Sequence, residues 1–132
     1  MRKETKQILT AAAAGTICGA ISYAVCRLTG GTPARPDSAW KYAWILLIGP
    51  ILEEAVFRGI AFAPAQRYLK NTGAVLLCAV LFGIAHWGIP QSFIAFGAGI
   101  LFGYMRVKHN SLLSPILAHM AANAVLLVLQ IL

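Results

Sequence analysis

Long apolar runs separated by short polar stretches organise this chain. The runs are Ile8–Leu28, Ala39–Pro64, Gly73–Trp87, Gln91–Met105 and Ser111–Leu132. A helix of about 20 apolar residues is long enough to cross the hydrocarbon core of a bilayer. The pattern therefore predicts an all-α integral membrane bundle of about five transmembrane helices, one for each run.

The third and fourth runs are shorter than a usual span. A helix of about 15 residues covers roughly 22 Å, which is less than the hydrocarbon thickness of about 30 Å. Such helices tilt, thin the bilayer locally or form a re-entrant hairpin. The first run is closed by Arg27 and lacks a convincing cleavage site, so it is predicted to be an uncleaved span.

Composition and charge agree with a membrane domain. Charged residues make up 11% of the 132-residue chain, against about 25% in soluble domains. The net charge is +7, but the basic residues form short clusters between apolar runs, so a nucleic-acid partner is not expected. Seven basic residues fall on one predicted side and three on the other. This bias predicts a multi-pass cell-membrane protein in contact with lipid, with a cytoplasmic N-terminus and an outside C-terminus.

Two adjacent glutamates lie in the second apolar run. A charged group near the bilayer centre costs about 2.5–3.5 kcal/mol, so Glu53, Glu54 and the nearby Arg58 indicate chemistry within the membrane. Glu54 and Arg58 are four residues apart and can pair on one helix face. Glu53 is turned about 100° away, which leaves it free to act as a base. Pro50 lacks an N–H, so it frees a carbonyl one turn earlier and predicts a kink or a cavity.

Two other helices carry polar groups at a similar depth. His119 and Asn123 share one helix face, and His86 ends the third run. At about 1.5 Å per residue, Glu53 and these three groups lie roughly 17–24 Å from the cytoplasmic basic clusters. Separately, each group could be structural: a buried ion pair or an interhelical hydrogen bond. Together they favour a single hydrolytic site.

Three motifs follow one another in this order. Glu-Glu-x-x-x-Arg comprises Glu53, Glu54 and Arg58, Phe-x-x-x-His comprises Phe82 and His86, and His-x-x-x-Asn comprises His119 and Asn123. In combination they resemble the CAAX protease and bacteriocin-processing family (CPBP, or Abi), intramembrane proteases that include the type II CAAX prenyl endopeptidases. The resemblance implies an N-terminal transmembrane helix and loop over residues 1–38 and a four-helix catalytic core over residues 39–132.

The resemblance also implies an activity and roles for its residues. The expected reaction is hydrolysis of a peptide bond in a membrane-associated peptide or protein, of a prenylated or a bacteriocin type. Glu53 and His86 would activate a water, His119 and Asn123 would stabilise the oxyanion, and Glu54 with Arg58 would hold the helix geometry. Glu53, His86 and His119 could also supply three ligands to a Zn²⁺ ion, while a metal-free glutamate mechanism uses the same residues.

The sequence is also compatible with two other classes of function. One is a non-catalytic membrane interaction protein, such as a bacteriocin self-immunity protein on the same scaffold. The other is a small ion or proton conductor that uses the acid and the histidines as relay groups. The predicted common depth of the polar groups favours one site over a relay across the membrane. The oligomeric state is not predicted.

Overall fold

The computed structural model describes residues 1–132 as a bundle of five helices without a strand, which confirms the all-α prediction. Helix α1 is Lys3–Thr29, α2 covers residues 39–60, α3 is Phe62–Ile84, α4 is Ile89–His109 and α5 is Leu113–Ile131. By length and composition, α1, α3 and α5 could each cross a membrane. The stretches between the helices are short, except for the loop between α1 and α2.

The distribution of side chains is that of a membrane protein. Large apolar residues such as Ile17, Ile21 and Val128 are exposed on the outside of the bundle. Many buried positions are instead small, and Glu54 and Arg58 are fully buried. Lipid solvates the exposed apolar groups, so small residues line the contacts between helices and polar groups face inward.

The boundary between α2 and α3 differs from the predicted loop. The polar residues after Pro64 suggested a break before Gly73, yet the backbone is helical on both sides of Lys70. Lys70 has φ 58° and ψ −170°, which bends α3 at one residue. Across the bend, Gln66 donates a hydrogen bond of 2.7 Å to the side chain of Asn71. A drop in hydropathy therefore marked the bend but not the helical turns on either side.

The glutamates of α2 lie between two stretches of π-helix. The first is Trp44–Ile48 and the second is Ala55–Ile60, with Gly49–Glu54 between them in α-helical geometry. The N–H of Gly49 bonds to the Trp44 carbonyl, five residues back. π-Helical turns are rare and occur frequently at functional sites. The irregularity expected near Pro50 is therefore present as a widened turn directly before the proline.

Helix α1 packs closely on α5, the helix that carries His119. A Cβ atom added at Gly15 would overlap the carbonyl oxygen of Ala118, and one at Gly19 would overlap that of Ala122. Small residues allow this approach of two backbones, as they do between membrane helices generally. The α1–α2 loop contacts the C-terminal end of α5, where Arg35 donates a hydrogen bond to the Gln130 carbonyl.

Candidate active site

A fully buried ion pair connects the glutamate motif to α5. Nη1 of Arg58 lies 3.2 Å from Oε1 of Glu54, and both side chains are completely inaccessible. The same Glu54 oxygen lies 2.9 Å from Nδ1 of His119. Because a carboxylate paired with Arg58 only accepts hydrogen bonds, Nδ1 of His119 is the donor. Glu54 thus fixes the His119 ring and leaves Nε2 for other partners, as a carboxylate does behind a catalytic or ligating histidine.

Aromatic rings enclose this charged group. The Arg58 guanidinium lies 4.6 Å from the ring centre of Phe82 and 5.6 Å from that of Phe102. Phe102 also stacks on His119 with ring centres 4.9 Å apart and an angle of 22°. Nη2 of Arg58 donates to the carbonyl of Gly99 at 2.9 Å. Cation–π contacts and these hydrogen bonds compensate for part of the cost of burying the arginine.

His86 has one ring nitrogen engaged and one free of protein hydrogen bonds. Its Nδ1 lies 2.7 Å from the carbonyl oxygen of Phe82. A carbonyl only accepts, so Nδ1 carries the hydrogen and Nε2 of the neutral ring carries a lone pair. His86, His119 and Asn123 line one cavity of about 280 Å³. The α1 residues Cys18 and Ser22 form part of the wall of this cavity.

Glu53 reaches this cluster through His119 and not through His86. Its Oε2 lies 3.9 Å from Nε2 of His119, and its side chain is 37% exposed. The same Oε2 atom is itself inaccessible and has no hydrogen-bond partner. Glu53 therefore offers an unused acceptor beside the histidine that Glu54 holds from the other side.

Asn123 is engaged with the backbone of α2. Its side-chain nitrogen donates to the carbonyl of Ile45 at 2.9 Å. The structure thus connects Glu53, Glu54, Arg58 and His119 by contacts, and His86 and Asn123 line the same cavity as His119. The sequence placed Glu53, His86, His119 and Asn123 at similar depths but did not indicate that Glu54 contacts His119.

Glu53, His86 and His119 are not gathered as a metal site. The chain holds no group of three or more His, Cys, Asp or Glu side chains close enough to bind one ion. Nδ1 of His86 is directed to Phe82 and Nδ1 of His119 to Glu54, so only their Nε2 atoms remain as donors. A tetrahedral zinc site needs its ligands about 2.0–2.3 Å from the ion. A ligating histidine commonly binds through one ring nitrogen while the other is hydrogen-bonded, so the Zn²⁺ ion stays a prediction.

Two site residues on α4 were missed by sequence reasoning. Gly99 supplies the carbonyl that receives Arg58, and a Cβ there would lie 2.9 Å from Cα of Ala79. Phe102 stacks on His119. Both are apolar and lie in an ordinary apolar run, so polarity could not identify them. Their three-residue spacing, which places them on one helix face, is the only signal available.

Comparison with known proteins identifies the family of this chain. The sequence model of a family described as type II CAAX prenyl endopeptidase Rce1-like matches residues 35–125. The chain belongs to the Rce1-like family. All six candidate site residues lie inside the matched range, and all of α1 lies before it.

Two bacterial relatives have names that describe membrane peptidases. The Rce1-like chain is 30% identical over 95 residues to the membrane-embedded CAAX protease MroQ of Staphylococcus aureus (strain USA300), covering 67% of this chain and 38% of MroQ. It is 29% identical over 85 residues to YdiL of Bacillus subtilis (strain 168), provisionally named a membrane peptidase, covering 64% of this chain and 35% of YdiL. The chain thus spans little more than a third of either relative. No solved structure gives a significant match.

Proposed function

We propose that this chain is an intramembrane endopeptidase that hydrolyses a peptide bond in a membrane-associated substrate. One observation carries the proposal: His86 and His119 line the same cavity, and the protein fixes Nδ1 of each ring. Each histidine therefore keeps Nε2 for chemistry. Two imidazoles with assigned orientations, beside an unused carboxylate oxygen, form a set suited to general acid–base catalysis.

The proposed reaction begins with a water in the shared cavity. Its proton passes to Glu53 or His86 while its oxygen bonds to the carbonyl carbon of the substrate. The unpaired Oε2 of Glu53 and the free Nε2 of His86 support this role, since both can accept a proton. The C–N bond then breaks, and the protonated group returns the proton to the amine that leaves.

The oxyanion formed in this step needs fixed donors. We propose that His119 and Asn123 provide them, His119 through Nε2–H and Asn123 through its amide. Glu54 supports this role because its hydrogen bond to Nδ1 fixes the orientation of the His119 ring. Removing one oxyanion donor typically lowers kcat by about 10²–10³-fold.

The substrate class is suggested by the family and by the relatives. MroQ is named a CAAX protease and the family model a prenyl endopeptidase, so a lipidated peptide is one candidate. A bacteriocin-type peptide without a prenyl group is the other. We propose the orientation that the basic residues predict, with the N-terminus in the cytoplasm. No step of this mechanism uses a metal, and the Zn²⁺ prediction is tested separately.

The test is cleavage of membrane-tethered peptides, with and without lipid chains, by the purified full chain in lipid. We expect Glu53→Ala and His86→Ala each to lower the rate by about 10²–10⁴-fold, the usual contribution of a general base. Glu4→Ala and His109→Ala are matched controls, since Glu4 is exposed on α1 and His109 ends α4, both outside the cluster. A chelator arm tests metal dependence.

Retained cleavage in both site variants would contradict the proposed mechanism. A wild-type chain that cleaves none of the peptides would contradict the enzymatic function. If the wild type and both variants then conferred the same cellular phenotype, the enzymatic function would be replaced by the alternative. That alternative is a non-catalytic membrane interaction or self-immunity protein on this scaffold.

A further inference from the structure

The carbonyl of Ile45 has no donor within its own helix. In α-helical geometry it would receive the N–H of Gly49, but that N–H bonds to Trp44 instead. In π-helical geometry the partner would be residue 50, which is proline and has no N–H. A backbone carbonyl without a partner is costly in the hydrocarbon region of a membrane, so it requires a donor from elsewhere.

Asn123 is that donor, through the hydrogen bond of 2.9 Å from its side-chain nitrogen. The residues Gly49 and Pro50 together create the free carbonyl. A Cβ at Gly49 would lie 2.9 Å from the Trp44 carbonyl oxygen, so a larger residue would disturb the widened turn. The proline then removes the remaining N–H that could close it.

The hydrogen bond to Ile45 determines the orientation of the Asn123 amide, with its nitrogen toward the carbonyl. An asparagine amide has a donor end and an acceptor end of nearly equal shape. Only the nitrogen end can face the Ile45 carbonyl, and the nitrogen carries a second hydrogen that remains available. Ile45 and Asn123 both line the cavity shared by the two histidines. A rotated amide would present oxygen, which would repel an oxyanion.

We propose that Pro50 is a positioning residue, which leaves the Ile45 carbonyl free to hold the Asn123 amide with its nitrogen toward the reacting group. This inference rests on the proposed function, in which Asn123 is an oxyanion donor. Pro50 acts through Asn123 and does not contact the substrate. In Pro50→Ala, the new N–H bonds to Ile45, and Asn123 loses its fixed orientation.

The first experiment is independent of activity. The chain has three asparagines, Asn71, Asn110 and Asn123, so side-chain ¹⁵N labelling of asparagine gives three amide pairs in an NMR spectrum. In the wild type we expect the Asn123 pair to exchange slowly with water and to show a hydrogen-bonded proton shift. Pro50→Ala should speed this exchange about tenfold or more, while Pro64→Ala, at an exposed helix position, should leave it unchanged. Unchanged Asn123 exchange and shift in Pro50→Ala would overturn the proposal.

The second experiment is a double-mutant cycle on peptide cleavage. We expect Pro50→Ala to lower kcat about tenfold with a smaller change in KM, because the donor is misdirected and not removed. In an Asn123→Ala background, Pro50→Ala should have no further effect, since its route to the reaction is already absent. A merely structural role predicts equal losses in both backgrounds, and that result would overturn the proposal.

The two failures can be told apart. If the wild type cleaves no peptide, the proposed function fails, and the NMR exchange of Asn123 alone decides whether Pro50 controls the amide. If the wild type cleaves and the cycle is additive, the endopeptidase function stands and the positioning role of Pro50 fails.

Discussion

Removing Arg58 should destabilise the bundle more than any exposed charge substitution. Arg58 and Glu54 are both fully inaccessible and 3.2 Å apart, and Arg58 also holds the Gly99 carbonyl. In Arg58→Met the apolar stem is retained, but Glu54 is left buried without its counter-charge. Breaking a buried pair on one side costs about 3–5 kcal/mol, a large share of the roughly 5–15 kcal/mol that stabilises a typical protein.

The measurement is the free energy of unfolding in mixed micelles, from a denaturant titration followed by near-UV circular dichroism. The chain provides a matched control in Lys41 and Asp37, which pair at the same i,i+4 spacing and 2.7 Å apart but are 57% and 71% exposed. Lys41→Met should cost less than about 1 kcal/mol, as exposed ion pairs do. If Arg58→Met costs as little as Lys41→Met, the buried pair does not stabilise the bundle as we argue.

A double variant separates stability from catalysis. Replacing both members of a buried ion pair by apolar residues is often close to neutral for stability. We therefore expect Glu54→Leu/Arg58→Met to recover most of the stability lost in Arg58→Met. Peptide cleavage should not recover, because His119 has lost the carboxylate that bonds to Nδ1. Recovery of cleavage together with stability would refute the role assigned to Glu54.

Two further predictions concern the supports of the site. Gly15→Leu should lower the stability of the bundle by about 1–3 kcal/mol through overlap with the α5 backbone, whereas Gly97→Leu, with no atom within 4 Å of its Cβ, should change the melting temperature little. Phe102→Leu removes the ring stacked on His119, an interaction worth about 0.5–1.5 kcal/mol, so we expect kcat to fall by up to about tenfold. Phe93→Leu, at a 72% exposed position, is the control for that measurement, and equal effects of the two substitutions would contradict the positioning role.

Hydropathy and helical spacing could predict much of the fold and the membership of the site. The five apolar runs became five helices, and the depth estimate placed the polar groups of three runs near one level. The drop in hydropathy around Lys70 marked the place of the bend, but it could not show that the backbone stays helical on both sides of a single lysine with positive φ. The two π-helical stretches also could not be predicted from hydropathy, although Gly49 and Pro50 directly follow the end of the first one.

Fewer of the contacts within the site could be predicted from the sequence. Helical spacing paired Glu54 with Arg58 correctly, because both lie on one helix. It could not show that Glu54 also reaches His119, since that contact depends on how α2 packs against α5. The orientation of Asn123 was hidden for the same reason: its partner is a backbone carbonyl, and every residue has one.

The two adjacent glutamates have different environments because neighbouring residues of a helix are rotated by about 100°. Glu54 faces the interior, where Arg58 and His119 occupy one of its oxygens. Glu53 is turned away, is 37% exposed and retains an oxygen without a partner. Oε2 of Glu54 also lacks a partner, so the two carboxylates differ in the charge beside them: Glu54 is paired with Arg58, whereas Glu53 lies beside Nε2 of His119. We therefore expect Glu54 to orient His119 and Glu53 to react, because adjacent residues face different sides of a helix that packs on one face.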